Sequence, residues 1–299
     1  MLSVLIPTLN EQENIAQCIQ SVHWAGEIVV VDSGSTDDTV AIAQSLGATV
    51  ENFDWNGRLP KKKNWALRNL SWENEWLLIL DADERVPPEL GREIRRALIS
   101  PQADGFLINR CFVFLGRRIR HCGYFPSWNL RLFRHEKGQF EYLHPGDTQS
   151  GDNEIHEHLV LRGTTSRLQH EMLHFAYPDI FTWMDKHNRY SNWEAHVEVA
   201  GAAAGLDAIG SHASMRRRIK RWSYSLPCRS WLRFFYSYVV RAGFLDGYEG
   251  LVLCRLLGMY EALAVFKAHE LRTRMAGKRP QENHFQLSAQ SERRKANSA

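Results

Sequence analysis

The chain has 299 residues, 44% of them hydrophobic and 24% charged, with a net charge of +3. Those values are ordinary for a globular protein and allow one large domain, or one domain with a substantial appendage. Its five cysteines (Cys18, Cys111, Cys122, Cys228, Cys254) are scattered and never spaced C-x-x-C, which excludes a disulfide framework or a cysteine zinc site and suits reduced thiols in a cytosolic protein.

Met1 leads straight into an apolar strand, Leu2 to Ile6, stopped by Pro7, so no signal peptide is expected. Glu11 to Ser21 has helical spacing with Asn10 as its N-cap. Glu27 to Val31 is a second strand ending in Asp32. The polar turn Ser33-Gly34-Ser35-Thr36-Asp37-Asp38 leads to a helix over Thr39–Leu46. Ala48 to Asn52 is a third strand and Lys61 to Leu70 a basic helix. Trp76 to Leu80 is a fourth strand, and its unbroken apolar run marks it as buried on both faces. Pro88 to Ile99 is a helix with proline in the first turn, where a missing N–H does no harm. This alternation predicts a parallel sheet with helices on both faces. Beyond Asp104, Gly105–Leu115 and Phe125–Phe133 read as strands and His135–Gly163 as a polar loop. Asp179–Ala200 is a helix with Ile180, Trp183, His187 and Tyr190 along one face, and Gly247–Met275 is a long helix. The stretch from Gly277 to Ala299 is polar and without periodicity, and reads as a disordered tail.

Three strand ends carry polar groups: Thr8-Leu9-Asn10-Glu11 after Pro7, then Asp32 to Asp37, then Asp81-Ala82-Asp83-Glu84. In a parallel sheet these ends share one edge and converge on one crevice. Three carboxylates crowded at the end of a core strand repel one another, and a divalent cation is the usual means of offsetting that. A solvated acidic turn before the Pro88 helix is the plainer alternative. The turn after Val31 is not G-x-G-x-x-G and no Walker lysine motif occurs, which removes the common dinucleotide and P-loop readings.

The segments in this order resemble glycosyltransferase family 2, with its GT-A fold. They are most similar to the bacterial group containing lipopolysaccharide core β-glucosyltransferases. The motifs are Pro7 to Glu11, Val31 to Asp37, Lys63-Asn64-Trp65-Ala66-Leu67, the Asp81 stretch, Arg131-Leu132-Phe133, Ile155-His156-Glu157 and His174-Phe175-Ala176-Tyr177, and the match runs to about Glu270. The resemblance implies an α/β GT-A domain over 1–205, with a nucleotide-binding half (1–100) and an acceptor-binding half (101–205). A helical extension over 206–276 would follow. It implies that Pro7, Thr8 and Glu11 line the nucleotide pocket, Asp32 contacts the base and Lys63 sits near the nucleotide. Asp81 would face ribose or sugar, and Asp83 with His174 would hold Mg²⁺ or Mn²⁺. Arg131 and Arg134 would add positive charge near the donor. Glu157 would be the base of an inverting transfer, with Glu154 and Asp152 as nearby competitors. The implied activity moves a sugar, glucose by expectation, from a UDP-sugar to a lipid-linked saccharide or lipopolysaccharide core. A non-catalytic shell of the same fold that binds the membrane is the alternative.

From Ala208 to Leu245 there is no acid, but there are eight basic residues interleaved with Trp222, Tyr224, Trp231, Phe234, Phe235, Tyr236 and Tyr238. That pattern suits an anionic membrane surface, and nucleic acid shares the same charge signal. Leu251–Phe266 is broken by Arg255 and Glu261, so no span is long enough to cross a bilayer. The expected placement is cytoplasmic, peripheral on the inner face of the cell membrane, with membrane rather than nucleic acid as partner.

Overall fold

The computed structural model describes residues 1–56, 60–141, 158–201 and 228–275. They group into two compact units divided between Pro178 and Asp179.

The first unit is built on β1 (Leu2–Thr8), β2 (Glu27–Asp32), β3 (Thr49–Asn52) and β4 (Trp76–Ile79), all parallel and ordered β3-β2-β1-β4. Helices α1 (Ile15–Ser21), α2 (Thr39–Ser45) and α3 (Lys62–Asn69) make the crossovers. Successive strand residues point to opposite faces, so the core divides in two. Val4, Ile6, Val30 and Leu78 pack with Ile15 and Ile19 of α1 on one side. Leu5, Val29, Val31, Leu77 and Ile79 pack with Ala66 of α3 on the other. This two-sided burial is why β1 and β4 read as continuous apolar runs.

The sheet then changes character. It continues through β5 (Glu84–Arg85), α4 (Pro88–Ile99), β6 (Gly105–Phe114), β7 (Arg117–Ile119), β8 (Trp128–Arg134) and β11 (Thr165–Tyr177). The full order is β3-β2-β1-β4-β8-β6-β11-β5, with β7 on β6. β8 runs antiparallel to both β4 and β6, whereas β6 and β11 are parallel. The sheet is therefore mixed. Two short strands, β9 (Gly138–Phe140) and β10 (Leu159–Leu161), form an antiparallel pair inside the stretch expected to be loop.

Some expected boundaries move. β1 runs through Pro7 to Thr8, because its ladder with β4 stops at Leu5 and a proline beyond it breaks no bond on that side. α1 starts at Ile15, and Asn10 is not its cap. Asn10 is left-handed (φ 55°) and its side-chain oxygen accepts the Thr36 N–H at 2.8 Å.

The second unit comprises α5 (Ile180–Gly201), α6 (Arg229–Phe235) running into a π-helical turn (Tyr236–Val240), a 3₁₀ turn (Gly243–Asp246) and α7 (Gly247–Met275). Trp183, Leu253, Cys254, Leu257, Ala264 and Ala268 are buried in it. The buried Arg229 of α6 meets Glu198 at 3.2 Å and Glu194 at 3.6 Å on α5, and Glu261 at 2.5 Å on α7. These ion pairs explain why α5, expected to belong with the catalytic domain up to residue 205, groups with the C-terminal helices. Of the expected α5 face, Trp183 and His187 are buried, but Ile180 is exposed. The Gly243–Gly247 turn is structural: a Cβ on Gly250 would run into the Gly243 carbonyl. No helix among the described residues is long and apolar enough to cross a membrane.

Candidate functional site

The first two polar strand ends are fastened to each other. Asp32 is buried at the end of β2. One of its oxygens accepts the N–H groups of Gly34 (2.8 Å) and Ser35 (2.7 Å). The other accepts the hydroxyls of Thr8 (3.0 Å) and Ser35 (2.5 Å). Gly34 takes φ 83°, a backbone that glycine alone adopts cheaply, and this lets the turn fold back on the carboxylate. The Asn10 and Glu11 N–H groups donate to Ser35 and Thr39, both at 2.8 Å, closing the β1 loop onto the β2 loop. Asp32 uses the four acceptor directions a carboxylate offers. A base can reach it only by exchanging one of these bonds. Pro7, next to the last residue of β1, is partly exposed, Thr8 is buried, and Glu11 accepts from the Asn14 amide at 2.9 Å.

The acidic stretch after β4 separates into two groups. Asp81 is held between two cations: Lys63 of α3 at 2.9 Å on one oxygen and Arg131 of β8 at 2.6 Å on the other. The same Arg131 nitrogen donates to Glu84 at 2.8 Å, and Arg110 approaches Glu84 at 3.4 Å. Glu84 also accepts the Asp81 N–H at 2.9 Å, which closes the turn. Burial pushes the Asp81 carboxyl up, but Arg131 and Lys63 outweigh it and hold it well below the usual carboxylate range. Glu84 goes the other way: burial, with the Asp81 charge beside it, raises it against the pull of Arg131. Burial lowers the Arg131 guanidinium, yet Asp81 and Glu84 together hold it above its ordinary value. The carboxylate crowding expected to call for a metal is thus offset, for two of the three acids, by basic side chains.

Asp83 is the third. The two-residue strand β5 pairs antiparallel with β11, setting His174 opposite Glu84 and joining the Phe175 N–H to the Asp83 carbonyl at 2.8 Å. His174 Nε2 then lies 3.4 Å from Asp83 Oδ2, with each side chain a little under one-fifth exposed. One carboxylate and one imidazole this close together are donors that would suit a Mn²⁺ or Mg²⁺ ion. Among the described residues no three His, Cys, Asp or Glu side chains form a cage of their own.

Arg134 does not join this group. β8 is antiparallel to β4, so Arg134 lies opposite Trp76 at the start of β4, while Arg131 lies toward its end. Arg134 pairs with Glu75, lies near Asp104 (3.6 Å) and packs over the Trp76 ring. The expectation that it adds charge near the donor is corrected by that strand direction. Glu157, Glu154 and Asp152 lie outside the described residues. Two cavities of about 480 and 500 Å³ open elsewhere on this unit, and neither is lined by Asp81, Asp83 or His174.

A model of glycosyl transferase family 2 matches residues 3–153, half of the sequence and every strand end described above up to the acidic stretch. The chain belongs to glycosyl transferase family 2. This family 2 transferase has a GT-A-like mixed α/β fold and is an enzyme that moves sugars. It is 28% identical over 286 residues to the lipopolysaccharide core biosynthesis glycosyltransferase LpsC of Rhizobium meliloti, covering 91% of this chain and 94% of that one. It is 26% identical over 272 residues to an uncharacterized glycosyltransferase of Rickettsia conorii, covering 90% of both. Among solved structures it is similar to glucosyl-3-phosphoglycerate synthase from Mycobacterium tuberculosis in complex with Mn²⁺ and UDP-glucose. The TM-score is 0.30 at 26% identity, covering 38% of this transferase and 43% of that chain. A score that low decides neither donor nor metal.

Several residues of the transferase's site were not singled out from sequence. Lys62 is buried in α3 and donates to the Thr8 carbonyl at 2.9 Å, beside the Asp32 turn. Arg85 spans the carbonyls of Ala82 (2.7 Å) and Glu84 (2.8 Å) and reaches Asn14 of the β1 loop at 3.2 Å. Arg110 sits in the middle of β6. The available signal was charge inside an apolar strand: Arg110 and Arg131 each interrupt a core run, which a chain tolerates when the charge is paired.

Proposed function

We propose that the chain is an inverting, metal-dependent glycosyltransferase that moves a sugar from a UDP-sugar, UDP-glucose or a near relative, to a lipid-linked saccharide or lipopolysaccharide-core acceptor. The observation that carries this reading is the pairing of Asp83 with His174 beside a fully neutralised Asp81–Glu84 pair. That arrangement sets a carboxylate and an imidazole 3.4 Å apart, just past the end of β4, where ligands bind in such folds.

Asp83 and His174 would hold the ion, which when bound withdraws charge from the departing diphosphate. The acceptor oxygen attacks the anomeric carbon as the bond to the diphosphate breaks, and the electron pair leaves with the nucleotide. Glu157, proposed from sequence, takes the acceptor proton. Lys63 and Arg131 fix the Asp81 carboxylate, so it offers a preset acceptor to a ribose or sugar hydroxyl instead of a mobile charge. Pro7, Thr8, Glu11 and the Asp32 turn line the nucleotide side. A thermal-shift screen of nucleotide sugars with and without Mn²⁺ tests the reading. The true donor should raise the melting temperature only when the metal is present, and a screen in which no nucleotide sugar does so counts against it.

Residues 208–245 support the proposed location. Their described part, from Cys228 on, leaves Trp231, Leu232, Phe235, Tyr236, Val239 and Val240 exposed, while the inward positions include Arg229 and Ser237. Apolar residues outward and polar ones inward reverse the usual order for a water-facing helix. With the eight basic residues of that stretch, this supports a peripheral seat on an anionic membrane at its cytoplasmic face.

A further inference from the structure

The guanidinium of Arg85 ties the acidic turn to the loop that follows β1. Arg85 is the second residue of β5 and is buried, with 9% of its surface exposed. Its Nη1 donates to the Ala82 carbonyl at 2.7 Å and to the Glu84 carbonyl at 2.8 Å, the carbonyls on either side of Asp83. The Asp83 carbonyl between them accepts the Phe175 N–H at 2.8 Å, and the Arg85 guanidinium lies 5.6 Å from the centre of the Phe175 ring. Three successive carbonyls of the turn are therefore held. The main chain at Asp83 cannot shift without breaking at least one of these bonds.

The other terminal nitrogen reaches a different segment. Nη2 donates to the side-chain oxygens of Asn14 at 3.2 Å and Gln17 at 3.4 Å, at the start of α1. The Asn14 side-chain amide donates in turn to the Glu11 carboxylate at 2.9 Å. The Asn14 and Ile15 N–H groups both return to the Glu11 carbonyl, at 2.9 and 2.8 Å. A relay thus runs from the Asp83 turn through Arg85 and Asn14 to Glu11. Satisfying two carbonyls does not by itself explain a guanidinium here. Burying a charge is costly, and a water or a neutral amide would serve the same carbonyls. What the planar fork adds is a fixed relation between its nitrogens, so that bonds to two segments also fix one segment against the other.

We infer that Arg85 is a positioning residue that holds the Asp83 turn and the Glu11 loop at a fixed separation, matched to a ligand that spans both: a nucleoside diphosphate with its divalent ion. This rests on the donor reading above, in which Glu11 lines the nucleotide side and Asp83 holds the ion. A ligand that touches one segment gains nothing from their spacing. A ligand that touches both binds more tightly when the spacing is preset, because the segments need not be ordered on binding.

The test compares UDP with UMP in calorimetric titrations of the full-length protein with Mn²⁺, alongside amide hydrogen exchange of the ligand-free protein. Arg85→Lys keeps the charge and loses the fork. It should weaken UDP binding about tenfold and UMP binding less than about threefold. Asn14→Ala cuts the relay at a partly exposed residue and leaves both carbonyl bonds of Arg85 in place, so it serves as the second variant should Arg85→Lys fail to fold. It should show the same split, and the double variant should lose no more than the worse single one. Without ligand, Arg85→Lys should speed exchange about tenfold or more at Glu84 and Phe175 and also at Asn14 and Ile15. The relay is overturned if both nucleotides lose affinity equally, if UDP affinity is unchanged, or if the faster exchange is confined to the Asp83 turn. If the parent binds UDP no better with Mn²⁺ than without it, the donor reading fails instead, and the exchange arm still decides whether Arg85 ties the two segments.

Discussion

Arg131 donates from a single nitrogen to Asp81 at 2.6 Å and to Glu84 at 2.8 Å, so one guanidinium serves two of the three acids that follow β4. That relationship assigns the stretch its division of labour. Glu84 closes the turn, Asp81 is a fixed acceptor, and Asp83 is left to face His174. Breaking a buried pair by removing one partner typically costs about 3–5 kcal/mol, because the surviving charges stay buried and uncompensated. Arg131→Met should destabilise the first unit by about that amount in urea unfolding. Adding Glu84→Gln should recover part of the loss, and a double variant no better than the single one would show that Glu84 is not what Arg131 compensates.

His174→Ala tests the proposed metal pair from its other side. Loss of one of two protein ligands should raise the Mn²⁺ concentration needed for half-maximal transfer by about tenfold or more, with the melting temperature of the metal-free protein little changed. Equal Mn²⁺ dependence in parent and variant would remove His174 from the site.

Glu157, in the stretch outside the described residues, is the proposed base. Glu157→Gln should keep donor binding and lower transfer by about 10²–10⁴-fold, the usual contribution of general base catalysis. Comparison with Glu154→Gln and Asp152→Asn decides among the three. If either of those variants shows the large loss and Glu157→Gln does not, the base is reassigned.

The second unit should be acid-sensitive through His187. It stacks on Trp183 at 3.6 Å, and burial lowers its pKa from 6.5 to about 4, against a bond to the Trp183 carbonyl that raises it. Between those values the unfolded chain binds the proton and the folded one does not. Stability is therefore complete above about 6.5 and falls as pH drops toward 4, by about 3 kcal/mol in all. Thermal melts followed by near-UV circular dichroism should show this, and His187→Phe should flatten the dependence. An unchanged slope would place the acid sensitivity elsewhere.

The exposed apolar row on α6 and its π-helical turn predicts membrane binding that salt does not fully reverse. Trp231→Ser with Phe235→Ser should abolish co-sedimentation with anionic liposomes at high salt, where screening has already removed most of the electrostatic attraction. If the parent protein is fully released by salt, attachment is electrostatic and the apolar row plays no part. Co-sedimentation with oligonucleotide instead of liposomes would favour nucleic acid.

The first half of the first unit was largely legible in the sequence. Val4 to Ile6, Val29 to Val31 and Leu77 to Leu80 are buried on both faces, and such runs announce themselves. The second half was legible in part: β6 and β8 lie where Gly105–Leu115 and Phe125–Phe133 read as strands, but β5 and β11 were not foreseen. β11 is thirteen residues long, but its register breaks twice and its buried positions (Leu168, Met172, Ala176) recur every fourth residue, so it lacks the period-two signal of a strand. β5 is two residues of Glu84-Arg85, invisible to any pattern, yet its pairing with β11 is what sets His174 beside Asp83. The resemblance named both residues. The neutralisation of Asp81 was missed because Arg131 and Lys63 come from distant segments that only the fold brings together.

The most direct test of a metal-dependent transfer centred on Asp83 is release of UDP from UDP-sugar in the presence of acceptor, measured across a Mn²⁺ titration for the parent and for Asp83→Asn. The parent should be inactive without a divalent ion and saturate with Mn²⁺. Asp83→Asn should remain folded and lose at least about 10²-fold of the activity at every Mn²⁺ concentration. Full activity in a chelator, or near-parental turnover by Asp83→Asn, would contradict the account.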